Sequence, residues 1–260
     1  LEDGLYGSVD ERTDSPDPYT LPGTVTDLTN ENPNAPCENA TIRTALQYSC
    51  NNVFAKMAVD LGQDKVRAMA ERFGFNDETQ DVPVRAYTSV YPKDMNESST
   101  ALTGIGQFDV TATPLQMAMV SAALANGGEL VSPHMVSRIT DSGGDVLEDH
   151  TDPDTKRIVS SGTAEQLQSA MQTVVEKGTG SNAQIPGATV GGKTGTAQHG
   201  EKNSKTPYAW FTSYAKSASS DREVAVAVII EQSDAARSEV SGNGLAAPVA
   251  KAMMEAAIED

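Results

Sequence analysis

Apolar residues along this 260-residue chain recur with two different periods, and the two periods occupy different regions. From residue 39 to residue 75 the spacing is helical. Asn39 or Thr41 can cap a short helix that reaches Tyr48. A second helix runs from about Cys50 to Leu61, with Val53, Phe54, Met57, Ala58 and Leu61 on one side and Gly62 stopping it. A third follows, with Val66, Met69, Ala70 and Phe73 inward and Gly74 just past its end. Thr113-Pro114 supplies a capping hydroxyl and a proline at the first helical position for an alanine-rich helix that ends at Asn126-Gly127-Gly128. Ser161 or Thr163 starts another, with Leu167, Ala170, Met171, Val174 and Val175 on one face and Gly178 at its end.

The C-terminal third changes period. A Gly-rich strand carrying Gly191–Ala197, a return strand Tyr208–Ala215, a turn at Ser219-Ser220-Asp221 and an apolar strand Val224–Ile230 predict an antiparallel three-stranded sheet. A last helix from Leu245 to Ile258 would cover it, and the fold class is therefore α+β. Residues 1–36, rich in Asp, Pro, Thr and Gly, read as irregular surface chain with one short strand. Residues 129–158 suggest one β-hairpin, Leu130 to Ile139 and Val146 onward, turning at Asp141-Ser142-Gly143-Gly144. Residues 76–112 are polar and carry no period; Gly104-Ile105-Gly106-Gln107-Phe108 has neither a preceding strand nor a third glycine, so it is a turn and not a nucleotide loop. No internal repeat is visible.

Composition narrows the classes. Net charge is −17, which argues against nucleic acid or anionic lipid as partner. No run of 18 apolar residues and no signal-peptide pattern occur, and a start at Leu1 without methionine is compatible with a trimmed or partial chain. His134, His150 and His199 stand far apart without metal-ligand spacing, and the Asp141/Asp145 and Asp152/Asp154 pairs lack the full calcium-loop pattern, so neither metal nor cofactor is expected. Cys37 and Cys50 are the only cysteines; they can bridge in an oxidising compartment or remain two thiols.

Two short stretches carry candidate chemistry. Lys193-Thr194-Gly195-Thr196 puts an ammonium and two hydroxyls on one strand, with a glycine where a ligand backbone can lie close. Alone, it reads equally as an anion grip or as a strand bend. Tyr48-Ser49-Cys50-Asn51 places a hydroxyl and a carboxamide two residues apart at a helix junction. Together they resemble the S-x-N and K-T-G signatures of the penicillin-binding proteins, the serine D,D-transpeptidases and carboxypeptidases of cell-wall synthesis. Gly104-Ile105-Gly106-Gln107, Thr113-Pro114-Leu115-Gln116, Ala125-Asn126-Gly127-Gly128, Ala209-Trp210-Phe211 and Ala246-Ala247-Pro248-Val249 extend the resemblance, in order, to class B transpeptidases from about residue 40 to the end.

The resemblance implies a penicillin-binding-protein transpeptidase fold, with a helical subdomain over about 40–128 carrying Ser49 and Asn51 and a sheet over about 185–260 carrying Lys193. It also exposes a departure. The family's nucleophile lies on an S-x-x-K helix start before S-x-N, and residues 1–48 contain no such pattern. Ser213-Tyr214-Ala215-Lys216 matches the string but falls in a predicted strand, where positions i and i+3 face opposite ways; Ser241-Gly242-Asn243 is a chance S-x-N. The expectation is therefore a C-terminal part of one transpeptidase domain that begins just after the nucleophile helix. The parent would be an enzyme, and the isolated chain would be inactive.

By resemblance, Ser49 relays a proton to the leaving amine, Asn51 holds the substrate's acyl amide, and Lys193 fixes the electrostatics and hydrogen-bonds Ser49. Thr194 and Thr196 bind the terminal carboxylate, Thr196 N–H supplies one oxyanion donor, and Gly195 leaves room for substrate. Implied partners are peptidoglycan stem peptides ending in D-Ala-D-Ala, β-lactam antibiotics, and division or elongation proteins. The implied location is the bacterial extracytoplasmic face, anchored by an upstream membrane helix, where a Cys37–Cys50 bridge is allowed. The competing readings are a non-catalytic peptide-binding or scaffolding module and a serine β-lactamase or β-lactam sensor of the same fold.

Overall fold

In a computed structural model describing residues 1–259 other than 81 and 83, the turn-rich opening forms two short antiparallel strands, not one: β1 (Tyr19–Thr20) and β2 (Asp27–Leu28). Three helices follow where the period placed them, α1 (Ile42–Tyr48), α2 (Asn51–Leu61) and α3 (Gln63–Arg72). Thr41 caps α1, its hydroxyl accepting from Thr44 N–H at 3.1 Å. Gly62, at φ 81°, ends α2 in a conformation open to glycine at little cost.

The aperiodic stretch hides a helix, α4 (Glu97–Thr103). Asn96 caps it, accepting from Ser99 N–H at 2.8 Å. It packs on α2 through Ala101 and through Gly104, where a Cβ would sit 2.5 Å from the Phe54 carbonyl oxygen. Tertiary contact, and not an apolar period, makes this helix. α5 (Pro114–Ala125) then runs as expected, with the Thr113 hydroxyl accepting from Gln116 N–H at 3.1 Å.

The single hairpin expected over 129–158 is two stacked ladders. β3 (Glu129–Val131) pairs with a later strand, β6 (Thr155–Arg157), while β4 (Arg138–Thr140) pairs with β5 (Val146–Asp149) at the tip. Pro133 lacks the N–H that would carry the first strand through, so Ser132 N–H closes the lower ladder on the Asp154 carbonyl at 2.9 Å. The tip turns on Asp141, whose carboxylate accepts from Gly143 and Asp145 N–H. α6 (Ser161–Lys177) starts at Ser161, the earlier of the two expected positions, and Ser160 caps it.

β7 (Ala188–Ala197), β8 (Tyr208–Ser217) and β9 (Glu223–Ile230) form the predicted antiparallel sheet in that order, and α7 (Ala247–Glu259) covers it. One face packs Val190, Phe211, Ala215 and Val228 against Ala250 and Met254 of α7. The other turns to α5 and α6: Tyr214 is fully buried there and donates to the Gln168 carbonyl at 3.2 Å. Gly191 and Gly192 are glycines because aromatic rings lie across them. A Cβ would meet the Tyr214 ring at the first and Phe211 Cζ at the second, each at 2.4 Å. These contacts set β7 tightly on β8 and fix where Lys193 emerges.

Candidate active site

Between α1 and α2 the chain reverses in one step. Ser49 adopts the left-handed conformation, φ 58° and ψ 52°, which costs a non-glycine residue about 1 kcal/mol. Several bonds hold it there. Cys50 N–H donates to the Ala45 carbonyl at 2.9 Å, and Cys50 is bridged to Cys37 with a Cα–Cα distance of 5.5 Å, which resolves the two readings left open for the cysteines. Asn51 N–H donates to Asn30 Oδ1 at 2.6 Å. Asn52, fully buried, donates through Nδ2 to the carbonyls of Ser15, Pro16 and Cys37. The cost at Ser49 is thus offset by a network that aims its hydroxyl at β7.

Lys193 meets it. Its Nζ donates to Ser49 Oγ at 2.9 Å and to its neighbour's carbonyl, Thr194 O, at 2.7 Å. The residue keeps some surface open to the cleft, yet desolvation of the ammonium dominates and lowers its pKa to about 8, with the Glu31 carboxylate acting in the opposite sense. Lys193 stands opposite Thr212, whose hydroxyl donates to the Met117 carbonyl of α5 at 2.8 Å, so the ammonium lies on the helical side of the sheet.

The peptide edge is also ordered. Residues of one strand alternate the side to which N–H and C=O point. The Gly187 carbonyl accepts from Ala218 N–H, so the odd-numbered peptide groups of β7 face β8, and those of Thr194 and Thr196 face the free edge. Gly195 lies between them opposite Trp210, on the same face as Lys193, and keeps the wall clear of a side chain beside the ammonium. The Thr194 hydroxyl is shared with Thr179 Oγ1 at 2.9 Å. Thr179 N–H in turn donates to the Gln47 carbonyl at 3.1 Å, which ties the edge strand back to the turn holding Ser49. Asn51 directs its NH2 to the Thr29 carbonyl at 3.1 Å, and its Oδ1 has no partner among the described residues. A cavity of about 500 Å³ opens between Lys193–Ala197 and the loop Ile105–Gln107, with Phe75, Met117, Trp210 and Ile229 in its wall.

All six residues singled out from the sequence therefore belong to one locality: Ser49 and Asn51 on the turn, Lys193, Thr194, Gly195 and Thr196 on the facing edge. The coincidental motifs separate as strand and loop chemistry requires. Ser213 donates into the α7 side, to the Val226 carbonyl, whereas Lys216 reaches the Ala125 carbonyl on the other and pairs with Glu223. Ser241 caps Gly244 N–H. Sequence reasoning missed Asn30, Asn52, Thr179 and Glu31. Their only signal is proximity in the fold, since none belongs to a motif.

Comparison with known proteins identifies the family and the fold. The family model "Penicillin binding protein transpeptidase domain" matches residues 7–255. Peptidoglycan D,D-transpeptidase PbpA of Mycobacterium tuberculosis is 34% identical over 245 residues, covering 92% of this chain and 48% of that protein. Stage V sporulation protein D of Bacillus subtilis is 33% identical over 156 residues, 59% of this chain and 24% of the relative. The imipenem acyl-enzyme complex of M. tuberculosis penicillin-binding protein A superposes with a TM-score of 0.83 at 32% identity, over 98% of this chain and 56% of that one. The fold is thus the α+β fold of penicillin-binding protein transpeptidase structures. This chain belongs to the penicillin-binding protein transpeptidase family. It spans about half the length of the M. tuberculosis PbpA relative.

Proposed function

We propose that these residues are the donor-binding wall of a peptidoglycan D,D-transpeptidase that works through an acyl-serine intermediate and is inhibited by β-lactams. The observation that carries the reading is the 2.9 Å hydrogen bond from Lys193 Nζ to Ser49 Oγ, beside a free peptide edge. A D-Ala-D-Ala stem lies along that edge. Its terminal carboxylate meets the Lys193 ammonium and the hydroxyls of Thr194 and Thr196, and its acyl amide N–H meets Asn51 Oδ1. Attack by the nucleophilic serine gives an oxyanion that Thr196 N–H stabilises. Ser49, resupplied by Lys193, hands a proton to the departing D-Ala amine. An amine of a neighbouring stem then takes the acyl group.

Ser49 itself is read as the relay. The residue one helical turn beyond it is Asn52, buried and fully bonded, where a nucleophile's base would need to be lysine. We place the nucleophilic serine outside these 260 residues, so that the chain by itself does not turn over. The substrate lies outside the cytoplasmic membrane, which puts the protein on the bacterial extracytoplasmic face, held by a membrane helix beyond these residues. The Cys37–Cys50 bridge suits that oxidising compartment. The test is product analysis: a protein carrying the upstream residues, given a pentapeptide ending in D-Ala-D-Ala and an amine acceptor, should release free D-Ala and form the new amide. Release of neither, from a folded protein, would defeat the reading.

A further inference from the structure

The strap over residues 29–37 is fixed to the catalytic turn at both ends. At one end Thr29 O accepts from Asn51 Nδ2, and Asn30 accepts from Asn51 N–H while donating to Asp17 and Asn52. At the other, Cys37 is bridged to Cys50. Between them stands Glu31, one residue beyond the pair that grips Asn51. It is exposed, and it has no hydrogen bond or ion pair among the described residues. Some other acids of this chain are paired, Asp10 with Arg43, Asp60 with Lys56 and Glu129 with Arg157. Glu31 stands exposed next to the residues that hold Asn51, and its carboxylate raises the Lys193 pKa against the desolvation that lowers it.

The donor stem needs cations and N–H donors from this site, and it has them on β7. The second substrate of an acyl transfer to nitrogen is of opposite charge. It arrives as an ammonium and must be placed beside the ester before it loses its proton. We propose that Glu31 is the acceptor-recognition residue: its carboxylate binds the side-chain ammonium of the incoming stem peptide and delivers it to the acyl-serine beside Ser49. This rests on the transpeptidase reading. The ammonium first gives one proton to solvent. The free amine then attacks the ester carbonyl, the C–N bond forms, and the C–O bond to the serine breaks. The second amine proton passes through Ser49 to the departing serine oxygen. Glu31 makes and breaks no bond; it is a positioning residue.

The test separates acceptor capture from donor chemistry. A protein carrying the nucleophile is acylated by a thioester donor and offered a peptide with a free side-chain amine, and the ratio of aminolysis to hydrolysis is measured. Glu31→Gln should lower that ratio roughly three- to fivefold, the size an exposed ion pair supports. The loss should shrink in high salt, and Glu31→Asp should restore part of it. An unchanged ratio, with only the pH dependence of acylation moved, would overturn the proposal and leave Glu31 as a modulator of Lys193. If the protein fails to acylate at all, the transpeptidase reading falls instead, and binding decides the role of Glu31. This chain should then bind the free-amine peptide a few-fold more tightly than its Nε-acetylated form, and Glu31→Gln should remove the difference. Equal affinities would contradict the role.

Discussion

Replacing Lys193 by methionine is expected to slow acylation by penicillin G by two to four orders of magnitude in a protein that carries the nucleophile, the usual weight of a positioned proton-transfer group. Methionine keeps the length of the side chain and removes both Nζ hydrogen bonds, to Ser49 Oγ and to Thr194 O. Stability should behave in the opposite way. The ammonium is desolvated, with a pKa near 8 against an ordinary 10.5. Below pH 8 it is charged in both folded and unfolded chains, and the full desolvation penalty applies. Between about pH 8 and 10.5 the unfolded chain binds more protons than the folded one, so this group's contribution to stability rises with pH across that window. The urea midpoint of the wild type should therefore gain on that of Lys193→Met as pH rises from 7.5 to 10. A methionine variant that acylates within tenfold of wild type would remove Lys193 from the chemistry. A gap between the two midpoints that does not move with pH would contradict its desolvated state.

The second large effect belongs to the bridge. Cys37 and Cys50 are 13 residues apart, both fully buried, and a loop of about that length stabilises by about 3 kcal/mol when closed. The double variant Cys37→Ser with Cys50→Ser should lose about 2–5 kcal/mol in equilibrium urea unfolding, and reduction of the wild type should approach the same value. The loss is not confined to chain entropy. Asn52 Nδ2 bonds the Cys37 carbonyl, and Cys50 lies between Ser49 and Asn51. Loosening the bridge therefore frees the left-handed turn that aims Ser49 at Lys193, and acylation should fall along with stability. A loss below 1 kcal/mol would mean that the asparagine network alone holds the turn.

The helices and the sheet were legible because each is long enough to show its period. Val53, Phe54, Met57, Ala58 and Leu61 mark α2, and the apolar run Val224–Ile230 marks β9. α4 was not legible. Its sequence, Glu97-Ser98-Ser99-Thr100-Ala101-Leu102-Thr103, buries two threonines, and the Thr103 hydroxyl finds its Tyr91 partner only in the fold. The 129–158 segment showed alternation but not pairing, because Pro133 interrupts it and only the register of β3 with β6 reveals two ladders. At the site, motif residues were readable since their chemistry is local. Glu31, Asn30 and Thr179 act through chain brought from elsewhere, and no spacing announces them. The disulfide lay between: two cysteines allowed it, and only their 5.5 Å approach decides it.

Covalent labelling by a fluorescent penicillin tests the central claim most directly. The account predicts one adduct per molecule in a protein that extends this chain upstream through its nucleophile. The label should fall on a serine outside residues 1–260, depend on Lys193, and be absent from the 260-residue chain alone. Labelling of the chain alone would contradict the assignment of Ser49 as relay. Failure of the folded, extended protein to label would contradict the transpeptidase site itself.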